Sequence, residues 1–262
     1  MNKMLQRCWC FLAAICCCAS FCMAGEPVLI VSSDYEPYTS SRNNGSGVVL
    51  ELIKQAFAEM HRDVTFQFYP WVRCETMVGA GEAFGAAPYF KNEERLKKYD
   101  FSDPIVYSSN RFFFNKEKFP KGFSWHTLKD FRGYRVGGIR GYWYIPDFEQ
   151  AGLTIDYVSD DQANLRKLVF ARIDFLVLDE FVGQKILREN FSAAEAAKIG
   201  VLERPESFIK FHLMISRKYP DHAELAAELN QGLRIMKKKG SYQAILQRYG
   251  LPSHFAVDDP DK

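Results

Sequence analysis

Short apolar runs alternate with amphipathic stretches along most of the chain. Val28-Leu29-Ile30-Val31 is a compact apolar run of the kind a buried parallel strand shows. It is followed by Val48 to Met60, in which Val49, Leu52, Ile53, Ala56, Phe57 and Met60 recur at helical spacing, so a helix packing on a sheet is predicted. Val64, Phe66 and Phe68 alternate with Thr65, Gln67 and Tyr69, the two-residue period of a strand. Pro70-Trp71-Val72-Arg73 then opens a second helix, with Pro at a favourable early position. From Gly79 to Ile105 the pattern predicts a strand, a charged turn and a Phe-Ser-Asp-Pro segment, and Ile105 to Phe114 continues as strand.

A second series follows. Trp125 to Phe131 reads as a short helical turn, Tyr134 to Ile139 as a strand, and Arg140-Gly141-Tyr142-Trp143-Tyr144 as the loop after it. Leu153 to Val158 is a strand, and Ser159 with Gln162 three residues on reads as a capping box for a helix that turns Ala163, Leu165, Leu168 and Val169 inward. Ile173 to Leu178 is an almost wholly apolar strand ending in Asp179-Glu180. Phe211 to Ser216 is a late strand. Pro220 to Lys239 is a helix with Leu225, Leu229, Leu233 and Met236 on one face, and Ser241 to Tyr249 is a last helix closed by Gly250. The order βαβαβ, a second βαβ series, and a strand with helices that lack a neighbouring partner strand predicts an α/β protein of two lobes. The tail returns to the first lobe, and two crossing segments near Ser108 and Phe208 leave a cleft between the lobes. The expected organisation is residues 25–108 and 209–262 in lobe 1 and 109–208 in lobe 2.

Composition narrows the picture. With 262 residues, 47% hydrophobic and 25% charged, the chain is long enough for one or two cores. Residues 1–24 read as an export signal: a basic start through Lys3 and Arg7, an apolar stretch from Cys8 to Phe21, and small residues ending at Ala24. The formal charge of +2 resides in Lys3 and Arg7, and without them basic and acidic side chains balance at 32 each. No basic groove for a nucleic-acid backbone is therefore expected. The reading is a periplasmic protein with its signal cleaved after about Ala24; bulky Phe21 argues against lipidation at Cys22. Six of seven cysteines lie in the signal. Cys74 alone cannot form an internal disulfide and is expected to be buried and inert.

Several chemistries find no support. Gly137-Gly138-Ile139-Arg140-Gly141 lacks both the Gly-x-Gly-x-x-Gly order and a Walker lysine. The five histidines are scattered without ligand spacing, and no Gly-x-Ser-x-Gly occurs. No cofactor or metal is implied. Lys237-Lys238-Lys239 complements a helix dipole at its carboxyl end. Asp174 opens a strand and reads as structural. The candidate chemistry lies instead at the carboxyl ends of strands, where α/β proteins hold small ligands. Arg95 offers a planar fork suited to a carboxylate. Tyr35, after the first strand, is placed to cover a ligand. Asp179 ends a buried strand and can act either at the cleft or as a helix cap for Phe181 to Leu187.

These residues fall in an order that resembles the bacterial extracellular solute-binding proteins of family 3, the polar amino-acid binding components of ABC-type uptake systems. The marks are Tyr35-Glu36-Pro37-Tyr38, Glu93-Glu94-Arg95 with Phe101-Ser102-Asp103-Pro104, Arg135-Val136-Gly137 with Gly141, Ala171-Arg172-Ile173-Asp174 with Asp179, and the Gly240-Ser241-Tyr242 helix. The resemblance covers essentially the whole chain after the signal. It implies a two-lobe periplasmic-binding-protein fold of type II, a monomer that closes on a small ligand, and a membrane permease or receptor as partner. It further implies that Arg95 grips a ligand α-carboxylate and Asp179 receives the α-ammonium. The chain departs from the usual pattern at Pro88-Tyr89-Phe90 and at Gly141-Tyr142-Trp143, where aromatic surface replaces small donors. Tyr89, Phe90, Tyr142 and Trp143 are therefore expected to favour a larger, more apolar or cationic ligand. A Pro-Trp-x-Arg segment resembles a less characterised branch and brings Trp71 and Arg73 into the candidate set. Two alternatives stay open: a dehydratase-like enzyme using Asp179 or Glu180 as general acid, and a ligand-sensing partner of a membrane receptor.

Overall fold

The computed structural model describes residues 26–42 and 45–251; the export signal expected at residues 1–24 lies outside them. The first series is β1 (Val28–Ser32), α1 (Val48–Ala58), β2 (Val64–Phe68), α2 (Trp71–Ala80), β3 (Gly85–Tyr89), α3 (Glu93–Lys98) and the two-residue β4 (Asp100–Phe101). β5 (Val106–Asn115) leads to β6 (Arg135–Ile139), α4 (Ile145–Ala151), β7 (Thr154–Val158), α5 (Asp161–Val169), β8 (Phe175–Asp179), α6 (Glu180–Asn190) and α7 (Ala193–Ala197). β9 (Ile199–Ile215), α8 (His222–Lys239) and α9 (Ser241–Arg248) complete the described chain.

The strands run in the order β2-β1-β3-β9-β5-β8-β6-β7, with β4 paired to β9 off that path. β1 pairs in parallel with β2 and β3, and β6 pairs in parallel with β7 and β8. Between these two parallel groups stand β5 and β9, which pair antiparallel along their length. β9 is far longer than the late strand expected over Phe211 to Ser216. Its 17 residues run alongside β5 and then continue against β3 and β4. Its stretch Glu203-Arg204-Pro205-Glu206-Ser207 carries no apolar alternation, and pairing with β5 holds it in extended form. Pro205 has no N–H for the ladder, and the register shifts on both sides of Arg111 opposite it. The Arg111 guanidinium fills the break by donating to the carbonyls of Leu202 and Glu203.

The predicted helical faces are buried as expected: Val49, Leu52, Ile53, Ala56 and Phe57 on α1, and Leu225, Leu229, Leu233 and Met236 on α8. These two helices meet at Gly232, where a Cβ would stand 2.0 Å from the carbonyl oxygen of Ala56, so only glycine permits the approach. A separate aromatic cluster packs Phe112, Trp125, Phe131, Phe148 and Phe175 on the β5–β8 side. Phe112 and Phe131 are stacked with centroids 4.1 Å apart.

One local expectation is corrected, and one helix was not foreseen. The cap of α5 is Asp160, whose carboxylate accepts the Ala163 N–H at 2.7 Å; Ser159 instead donates to Asp160. A carboxylate outcompetes a hydroxyl for the cap because it is charged and meets the positive end of the helix dipole. The loop after β6 also turns directly into α4, a short helix that had no apolar period to announce it. Asp174 is structural, as expected: it is buried, accepts the Arg135 N–H and pairs with Lys118. Cys74 is buried, its thiol donating to the Ser32 carbonyl, and burial raises its pKa.

Candidate functional site

A cavity of ≈ 990 Å³ opens at the carboxyl ends of β1 and β3 and along β9. Its wall includes Trp71, Val72 and Glu75 from α2, the run Pro88 to Lys91 at the end of β3, and Arg95. Tyr35, Asn110, Trp143 and the β9 residues Ser207 to His212 complete it.

Arg95 is placed by its own helix. Asn92 caps α3 and accepts the Arg95 N–H at 2.8 Å, which anchors the first turn beside the strand end. The guanidinium carbon then lies 4.8 Å from the Tyr89 ring centroid and 4.9 Å from that of Phe90. Its side chain is 20% exposed, with Nη2 3.6 Å from Glu75 Oε2 and a single long hydrogen bond, 3.4 Å, from Nη1 to the Phe90 carbonyl. Most of the guanidinium donors therefore remain available to an incoming anion. Two aromatic faces hold the plane of the fork, an arrangement lysine does not reproduce.

The rings are themselves anchored. Tyr89 donates to the Trp71 carbonyl at 3.1 Å and meets the indole edge-on at 5.4 Å. Tyr35 stacks on Tyr38 at 5.4 Å and stands edge-on to Phe211. Phe90, Trp143 and Phe208 keep about half of their surface exposed. His212 is buried, with Nδ1 2.8 Å from the Ser102 carbonyl. Burial lowers its pKa to about 4. At neutral pH it is an uncharged ring that donates from Nδ1 and keeps Nε2 as an acceptor.

Of the residues expected at the site, Arg95, Tyr35, Trp71, Tyr89, Phe90 and Trp143 come together around this cavity. Tyr142 does not line it and packs edge-on against Tyr144. Arg73 lies on the exposed side of α2 over the Tyr69 ring at 4.4 Å. Asp179 does not line the cavity either. It is 3% exposed and caps α6, accepting from the N–H groups of Phe181 and Val182. It also accepts from the hydroxyls of Tyr38, at 2.9 Å, and Ser108, at 2.7 Å. A carboxylate that already accepts from four buried donors gains little from an ammonium, since displacing a donor leaves it unsatisfied at a cost of about 1–3 kcal/mol. The capping alternative is the one this geometry displays. Glu180 is likewise engaged, paired with Arg111 at 2.7 Å. Among the described residues no group of three or more His, Cys, Asp and Glu side chains is arranged to hold a metal ion.

The profile of the bacterial extracellular solute-binding proteins, family 3, matches residues 28–252. The chain belongs to this family. Among solved structures it is similar to YckB of Bacillus subtilis, at 19% identity and a TM-score of 0.73, covering 89% of this chain and 93% of that one. The unliganded open L-cystine solute receptor of Neisseria gonorrhoeae matches at 16% identity and a TM-score of 0.68, covering 88% and 94%. A histidine kinase sensor domain with similarity to periplasmic binding proteins matches at 21% identity and a TM-score of 0.66, covering 86% and 96%. None of the curated proteins matches the sequence. The fold of this family-3 protein is the two-lobe periplasmic-binding-protein fold. Among its described residues no helix is long and apolar enough to cross a membrane.

Residues of the cavity that the sequence pattern did not single out include Glu75, Phe208 and His212. Glu75 had a signal, since it lies four residues after Trp71 and so on the same face of α2. Phe208 was expected only as the place of a lobe crossing, and His212 had no signal, because its position depends on the pairing of β9.

Burial of Asp179 has a measurable consequence. Its pKa is raised from 3.8 to about 6, chiefly by desolvation and against the hydrogen bonds it accepts. The folded state then keeps a proton that the unfolded chain releases, so this group's contribution falls as pH rises from about 4 to about 6. The loss across that window amounts to roughly 3 kcal/mol. Denaturant titrations at both ends of the window should show the wild type losing more stability with rising pH than Asp179→Asn, which keeps a capping oxygen without the charge. Parallel pH curves for the two proteins would contradict this.

Proposed function

We propose that this protein is a periplasmic solute-binding protein that captures a small organic ligand between its lobes for an ABC-type uptake system. The observation that carries the reading is Arg95, held between Tyr89 and Phe90 in a cavity walled by α2, β9 and the Trp143 loop. A guanidinium with most donors available, among half-exposed rings, suits a carboxylate on an aromatic or otherwise apolar body. Residues 25–108 with 209–262 and residues 109–208 act as the two lobes. They close about the antiparallel crossing of β5 and β9, where Ser108 faces Ile209 and Ser109 faces Phe208. Closure brings Trp143 toward the Arg95 wall and buries its exposed ring. A ligand drives that motion only through contacts that the closed form alone makes.

The engagement of Asp179 and Glu180 in internal hydrogen bonds and ion pairing supports binding over dehydratase-like catalysis, since neither stands in the cavity as a general acid. Similarity to a histidine kinase sensor domain favours a second reading, in which the closed form reports to a membrane receptor. Thermal shift of the purified protein against amino acids, small carboxylates, amines and aromatic metabolites tests the proposal, because a ligand of the native state raises the melting temperature. Shifts confined to carboxylate or amine compounds with apolar bodies are expected. No shift with any compound would remove the reading.

A further inference from the structure

We propose that Glu75 receives the cationic group of the ligand, so that both charged ends of an amine-bearing aromatic carboxylate are held on one wall of the cavity by Arg95 and Glu75. The inference rests on the binding function proposed above and adds a recognition residue to it. Glu75 is the one carboxylate among the described residues that line the cavity. Its side chain is 34% exposed, and its sole ion-pair partner among the described residues is Arg95 at 3.6 Å, too far for a hydrogen bond. Among the described residues no side chain or N–H donates to its carboxylate oxygens; Tyr99 donates to its backbone carbonyl instead.

Charge decides what this arrangement accepts. An anion that docks on Arg95 meets the negative charge of Glu75 next to it, and the repulsion is appreciable in a partly desolvated cavity. A ligand that brings an ammonium together with its carboxylate turns the repulsion into a second attraction. Asp179, the other acid considered for that ammonium, lies outside the cavity with four donors already on it. Placement supports the same assignment, because Trp71 and Glu75 are four residues apart on α2 and therefore stand one above the other. A planar body lying along Trp71 has its charged end directed at Glu75 and Arg95.

The test uses tryptophan, tryptamine and indole-3-propionate, which share one ring system and differ in the charged groups they carry. Titration calorimetry on the purified protein should rank tryptophan tightest. Glu75→Gln should weaken tryptophan and tryptamine at least tenfold while leaving indole-3-propionate unchanged or tighter, and Arg95→Ala should weaken tryptophan and indole-3-propionate but spare tryptamine. Equal weakening of all three probes by Glu75→Gln would make Glu75 a support for Arg95 and overturn the assignment. So would preference for the amine that survives Glu75→Gln and disappears in Asp179→Asn. Failure of all three probes to bind overturns it too; thermal shifts with other compounds would then leave solute binding standing, whereas silence across the whole panel removes both.

Discussion

Arg95→Ala is expected to reduce affinity for any carboxylate ligand by roughly 100-fold or more, which corresponds to about 3 kcal/mol for two charge-assisted hydrogen bonds. The fold should survive, because the arginine is 20% exposed and its ion pair with Glu75, at 3.6 Å, is long. Partly exposed pairs of this kind contribute only about 0–1 kcal/mol, so the melting temperature without ligand should move by no more than a few degrees. Arg95→Lys should fall between the two. It keeps a positive charge but loses the planar fork that Tyr89 and Phe90 hold. Calorimetric titration with a ligand found by thermal shift checks both variants. Wild-type affinity in Arg95→Ala would show that the cavity binds its ligand elsewhere.

Asp179→Ala is expected to act on stability. The substitution removes the acceptor for the Phe181 and Val182 N–H groups and for the buried hydroxyls of Tyr38 and Ser108. Loss of a helix cap contributes about 1 kcal/mol, and two buried hydroxyls without their acceptor add about 1–3 kcal/mol each. A total of roughly 3–7 kcal/mol lowers the melting temperature by about 6–28 °C in a chain of this size. Because Tyr38 follows β1, Ser108 is on β5 and Asp179 ends β8, the network joins three distant parts of the chain. The nearby ion pair of Glu36 with Lys185, at 3.0 Å, spans the same junction. Unfolding monitored without ligand separates this from a ligand contact. A melting temperature unchanged in Asp179→Ala, with affinity lost, would return Asp179 to the ligand.

Most of the element order and the two parallel groups of strands were legible because the apolar runs are short and the longer helices have a clear face, as in α1 with Leu52, Ile53 and Ala56. The placing of Arg95, Tyr35 and Trp71 around one cavity was legible too, since strand ends and helix starts are local features. The role of Asp179 was not. A carboxylate at the end of a buried strand looks the same in sequence whether it faces a ligand or caps a helix, and the hydroxyls that engage it, Tyr38 and Ser108, stand 141 and 71 residues away.

What the sequence determined by itself is therefore the alternation of elements and the clustering of aromatic residues around one arginine, which follow from spacing over a few residues, and the family, which rests on the resemblance of motifs along the whole chain. The tertiary structure alone decided that β9 runs from β5 through Pro205 on to β3 and β4, that His212 reaches the cavity, and that Glu75 rather than Asp179 lines it. Those outcomes depend on strand pairing and on which buried donors find which acceptor. Such contacts are formed between residues far apart in the chain, where no local periodicity records them.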